Sequence, residues 1–86
     1  MEKIVVKKDE KKVLINFNTK FYPSEYIFKS VLDFSDSCWT SIDGSEEILQ
    51  ITLKPRSENI DLDTLGYEFY NYVFAIIRNS GRTMKH

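Results

Sequence analysis

In this chain of 86 residues thiol and imidazole groups are scarce, while Asp and Glu number 13. Cys38 is its one cysteine, and His86, the last residue, its one histidine. A zinc site needs several such ligands brought together, and one of each at distant positions does not make one. Two close carboxylate pairs, Glu46/Glu47 and Asp61/Asp63, have the groups needed for general acid and base work. Neighbours along a strand face opposite ways, however, and Asp61 and Asp63 stand just before a helical stretch, where a carboxylate caps free N–H groups. Both pairs therefore read as solvated or capping groups. Gly44, Gly66 and Gly81 are too widely spaced to cradle a phosphate, and no G-x-S-x-G, P-loop or G-x-G-x-x-G occurs. The inventory offers no catalytic residue, no metal site and no cofactor site, so the chain reads as a non-enzyme without a small-molecule substrate.

The elements that would hold such residues follow from composition and periodicity. The length suits one domain with a thin core. Hydrophobic residues make up 42% and charged residues 29%, too apolar for disorder. One cysteine leaves no internal disulfide, and "MEKIVVKKDE" lacks the apolar stretch of a signal peptide. No apolar run nears the roughly 18 residues that span a bilayer, so a cytoplasmic protein with no membrane partner is expected.

"KIVVKKDEKKVLINF" reads as a β-hairpin, with strands Ile4–Lys7 and Val13–Phe17 around a polar turn. "YPSEYIFKSVLDFSDS" reads as a helix with Pro23 at its first position and Ile27, Val31 and Phe34 on one face, Phe28 beside them. Glu25, Lys29, Asp33 and Asp36 lie opposite, with Glu25 and Lys29 a favourable pair. "CWTSIDGSEEILQITLKP" reads as a second hairpin turning at Asp43-Gly44 and ended by Pro55. Leu49, Ile51 and Leu53 form its buried face. A two-residue loop sets Cys38, Thr40 and Ile42 on that face, a three-residue loop sets Trp39 there, and the value of burying an indole favours Trp39. A last helix starts at an Asp61 or Asp63 cap and runs to about Asn79, with Gly81 as its stop.

The order ββαββα implies an α+β fold of two layers, an antiparallel three- to four-stranded sheet with two helices on one face. Residues 1–80 form the domain and 81–86 a flexible tail. The last helix is the anomaly. On a helical wheel Leu62, Leu65, Phe69, Tyr72, Val73 and Ile76 make an ordinary core stripe, but Ile77, Tyr70, Phe74 and Tyr67 widen the apolar arc to about 220°. An open sheet covers about half of that. Tyr67, Tyr70 and Phe74, with Arg78 in the last turn, are the expected contact surface for a protein partner or a second copy.

Net charge is −1. Seven lysines and four acids fall in residues 1–29, nine acids against Lys54 and Arg56 in residues 30–68, and Arg78, Arg82 and Lys85 without an acid in residues 69–86. A sheet backed by two helices suits RNA recognition, but the aromatic strand motif of those modules is absent and the lysines Lys3, Lys7, Lys8, Lys11 and Lys12 are interrupted by Asp9 and Glu10. Nucleic acid is not the expected partner.

The stretches "LINFNTKFYPSEYIFKSVLDF", "ITLKP" and "LDTLGYEFYNYVFAIIRNSG" resemble the HxsD family, small proteins of the His-Xaa-Ser system, over about residues 13–80. The likeness rests on strand, aromatic helix, hairpin and a closing helix with Phe69, Asn71, Tyr72 and Arg78. Where the family has Leu-Leu-Asn-Asp-Tyr-x-Leu-Arg, this chain has "FYNYVFAIIR", without the Asp and with another Asn-to-Arg spacing. The resemblance implies a non-catalytic accessory to paired radical SAM enzymes that modify a peptide. Asn71–Phe74 is also similar to the closing helix of the small dimerisation subunits of the tRNA-modifying KEOPS complex. Both resemblances imply a protein that acts by contact.

Overall fold

The computed structural model describes residues 3–84, with side-chain surroundings through residue 80; His86 and the side chains of the tail lie outside the described residues. The elements are β1 (Ile4–Lys7), β2 (Lys12–Asn18), α1 (Ser24–Phe34), β3 (Cys38–Gly44), β4 (Ile48–Pro55) and α2 (Leu62–Met84). Their order is the ββαββα of the sequence pattern. The strands form one antiparallel sheet in the order β1-β2-β4-β3.

Alternation along the strands decides which face is covered. Val13, Ile15 and Phe17 of β2 stand directly across from Leu53, Ile51 and Leu49 of β4, so all six point to the same side. There Val13, Ile15, Phe17, Ile51, Leu53 and Cys38 join Ile27 and Val31 of α1 and Leu65, Phe69 and Val73 of α2 in one buried core. Both helices therefore lie on one face, α2 over β1 and β2 and α1 toward β3. Gly66 allows the closest approach of α2. A Cβ there would stand 2.7 Å from Ile4 Cγ2 and 3.1 Å from Val13 Cγ1, so a side chain would force Ile4 or α2 to shift.

Asp61 is the α2 cap. One of its carboxylate oxygens accepts hydrogen bonds from the Thr64 N–H at 3.1 Å and the Thr64 hydroxyl at 2.6 Å. Asp63 instead lies 3.7 Å from the Lys8 ammonium. The Thr64 hydroxyl, and then its N–H, hold the Asp61 carboxyl below the ordinary carboxylate range.

Several details differ from the sequence pattern. The second hairpin does not turn at Asp43-Gly44. Its ladder continues through Asp43 with Gln50 and Gly44 with Leu49, and the chain reverses at Ser45–Ile48. Gly44 does have a positive φ of 105°, but as the last residue of β3, where a Cβ would come within 2.3 Å of the Ile48 carbonyl oxygen. This register places Cys38, Thr40 and Ile42 on the core side, and Trp39 points to the open face with 59% of its surface exposed. The gain from burying the indole does not decide the register; the continuous pairing with β4 does. Pro23 is the α1 cap, with an extended ψ of 137°, rather than the first helical residue. Lys29 pairs with Asp33 at 3.6 Å instead of with Glu25, and Asp36 lies beyond the end of α1. Gly81 does not stop α2, whose 23 residues run on to Met84. One interior glycine costs about 1 kcal/mol relative to alanine, which a long helix tolerates.

Candidate functional site

The four residues Tyr67, Tyr70, Phe74 and Arg78 are spaced three or four apart, so α2 sets them in one row on the side away from α1. They do not share one environment. Tyr67 is 63% exposed and Phe74 45% exposed. The Arg78 guanidinium lies over the Phe74 ring at 5.7 Å from its centre, an exposed cation–π contact. Tyr70, in contrast, is half-buried and belongs to the fold.

The Tyr70 ring stacks on Phe17 at 5.8 Å, with only 10° between the ring planes. Tyr22 packs against both, 5.2 Å from Phe17 and 5.6 Å from Tyr70. The hydroxyls of Tyr22 and Tyr70 share a hydrogen bond, and the Lys3 ammonium donates to the Tyr70 oxygen at 3.0 Å. Burial, then the bond to Tyr70, pushes the Tyr22 phenol up to about 12, while the Lys3 ammonium pulls the Tyr70 phenol down. Tyr70 is thus the more acidic member, and the cluster ties β1, the end of β2 and α2 together. Much of the Tyr70 ring is taken up by this junction, which leaves Tyr67, Phe74 and Arg78 as the exposed members of the row.

The aromatics on the other side of α2 have partners inside the chain. Phe34 meets Phe69 at 5.0 Å and Tyr72 at 5.3 Å, and the Tyr72 hydroxyl donates to Asp33 at 2.5 Å. The Asp33 carboxylate raises the Tyr72 phenol. Tyr72, placed in the core stripe by its wheel position, instead sits at the rim of the α1–α2 groove, 37% exposed. Nothing in the sequence signals the parts played by Lys3, Tyr22 and Gly66. Each acts through a residue far along the chain, and no local spacing announces such a contact.

The residues considered for chemistry are dispersed. Cys38 is fully buried, and burial raises its thiol, so it packs as a small apolar side chain. Glu46 and Glu47 lie exposed near the hairpin tip, where their backbone carbonyls accept from Thr19. Asp61 caps α2. Among the described residues, no group of three or more His, Cys, Asp and Glu is placed to hold a metal ion. A groove of about 510 Å³ is lined by Ser24, Phe28, Gly44, Ser45, Glu46 and Leu49, with Glu46 its one ionisable side chain. A shallow groove of about 290 Å³ on the open face holds Glu10, Lys12 and Lys54, but Glu10 is committed to an ion pair with Lys12 at 3.0 Å that holds it ionised. A third groove, of about 230 Å³, holds Glu58 in an exposed pair with Lys11 at 3.5 Å, where water surrounds both groups. Among the described residues, no helix is long and apolar enough to cross a membrane.

Comparison of the chain with protein-family models, with curated proteins and with solved structures gave no match.

Proposed function

We propose that this protein is a non-catalytic accessory module that works by protein contact, docking a second protein against the outer row of α2. The observation that carries this reading is the pair of exposed rings, Tyr67 and Phe74, on a helix whose inner row already fills the core. Aromatic rings set beside an arginine are the composition of interface anchors, since they offer apolar area with little side-chain entropy to lose. The resemblance to HxsD gives the partner class as an enzyme that modifies a peptide by radical SAM chemistry.

The test is a double substitution, Tyr67→Glu/Phe74→Glu. Both side chains are exposed, so the variant keeps the wild-type circular dichroism and melting temperature. Tagged wild type and variant are purified side by side from the native host. The reading expects a stoichiometric partner with the wild type and at least about a tenfold loss with the variant. An equal yield of that partner with both proteins would remove the α2 row from the contact.

A further inference from the structure

β3 is the free edge of the sheet, paired with β4 on one side and with no described strand on the other. In an antiparallel ladder, residues alternate between those that hydrogen-bond to the neighbour and those whose N–H and C=O point away. The phase is fixed at both ends of β3. The Arg56 N–H donates to the Ser37 carbonyl at 3.0 Å, and the Ser45 N–H donates to the Ile48 carbonyl at 2.9 Å. Odd-numbered residues therefore bond inward to β4. Pro55, which has no N–H, stands opposite Cys38 as the same phase requires. The N–H and C=O groups of Thr40 and Ile42 point outward.

Edges of this kind invite pairing, and folded proteins usually protect them with lysine, proline or short length. β3 has seven residues and contains neither lysine nor proline. Its flanks are apolar on both sides. Toward the helices lie Ile42, 39% exposed, and the outer side of α1, where Phe28 is 44% and Leu32 72% exposed. Toward the open face lies Trp39. The edge is also charged in opposite senses at its two ends. At the Cys38 end, Lys54 stands across from Trp39, and the Arg56 guanidinium stacks on the indole at 3.6 Å. At the Gly44 end are Asp43, Glu46 and Glu47. An antiparallel copy of the same edge reverses this order and so brings acid to cation.

We infer that β3 pairs with β3 of a second copy about a twofold axis at Ser41, joining the two four-stranded sheets into one. Ser41 is the middle residue of the strand, so this register overlaps β3 over its whole length. It pairs the outward groups of Thr40 with those of Ile42 in the second copy, and the reverse. It sets Asp43 of the second copy beside Trp39 and Arg56. Two Ser41 side chains face each other across the axis as a non-hydrogen-bonded pair, with Cβ atoms about 4.5–5.5 Å apart. The contact is isologous, the usual form for soluble homodimers. It uses residues other than the α2 row, so the two readings stand or fall separately.

Sedimentation or light scattering across a concentration series measures the assembly. Wild type is expected at twice the chain mass. Ser41→Cys is expected to form an intermolecular disulfide on mild oxidation, since the facing Cβ atoms lie close to disulfide range, whereas wild type with its buried Cys38 does not. Thr40→Pro removes an outward N–H without touching the β4 ladder, and is expected to weaken the dimer at least about tenfold. If Thr40→Pro proves unstable, Ser41→Lys sets two ammonium groups face to face across the axis and gives the same loss. Tyr67→Glu/Phe74→Glu is expected to remain dimeric. A monomeric wild type overturns the inference. So does a dimer without the Ser41→Cys cross-link, or one that is lost in the Tyr67/Phe74 variant and kept in Ser41→Lys.

Discussion

The two edges of this sheet are finished in opposite ways. β1 is four residues long, is flanked by Lys3 and Lys8 and has α2 lying over it, with Gly66 seated against Ile4. Tyr70, Phe17, Tyr22 and Lys3 seal one end of that junction. β3 is nearly twice as long and carries no lysine. The short helix α1 beside it covers Cys38 fully but leaves Ile42 partly open. At the β1 side part of the apolar surplus, the Tyr70 ring, is drawn into the monomer, while Tyr67 and Phe74 stay exposed on α2. At the β3 side it faces outward together with unpaired backbone. The lesson is that apolar excess in a sequence does not locate a contact surface. Which apolar groups stay exposed depends on where the covering elements stop.

Substitutions that test this contrast are expected to differ in size. Gly66→Leu should have the largest effect. The added side chain meets Ile4 and Val13, and overpacking of this kind costs about 1–3 kcal/mol or more. In urea titration the midpoint should fall sharply, and Ile4→Ala, which clears the nearest atoms, should restore part of it. A Gly66→Leu protein as stable as wild type would mean that α2 does not press on the β1 edge. Tyr70→Ala should follow, at about 1–2 kcal/mol, since the ring it takes from Phe17 and Tyr22 is half-buried. Tyr70→Phe, which keeps the ring and loses only the hydroxyl contacts, should cost about 1 kcal/mol.

At the β3 side, Leu32→Ser should change monomer stability by less than about 0.5 kcal/mol, because the side chain is 72% exposed. A loss as large as that of Tyr70→Ala would erase the difference between the edges. The smallest effect concerns the Asp61 cap, and it depends on pH. Because the folded carboxyl is held below its ordinary value, the folded state binds that proton more weakly than the unfolded chain. The cap's contribution is therefore present above the unfolded value of about 3.9 and is lost as pH falls through the folded value. Asp61→Asn should lower the melting temperature slightly at neutral pH, and the gap from wild type should narrow in acid. A gap that stays constant with pH would show that the charge of Asp61 does not contribute.

Much of the fold was legible in the sequence. Ile4–Lys7 and the alternation of Val13, Ile15 and Phe17 gave the first hairpin, and Leu49, Ile51 and Leu53 gave the inner face of β4. A cap near Leu62 was also legible; of the two aspartates offered, the local hydrogen bonds to Thr64 mark Asp61. The turn at Asp43-Gly44 misled because a glycine with positive φ suits both a two-residue loop and a strand end under close approach. Of the α2 row, Tyr67 and Phe74 lie exposed where the wheel placed them, and Tyr70 does not. A wheel gives the direction of a side chain from its own helix. It does not show that Phe17 and Tyr22 wait on that side.

The sequence by itself determined the element order and the apolar face of each strand, because those depend on periodicities of two and 3.6 residues within a single segment. It also limits thiol and imidazole groups to one of each. Tertiary structure decided the strand order, the register that turns Trp39 outward, the partial burial of Tyr70 and the exposure of the β3 edge. The strand order and the packing of Tyr70 depend on contacts between residues tens of positions apart, and the β3–β4 register on where its hairpin turns, which the periodicity of a single strand does not encode.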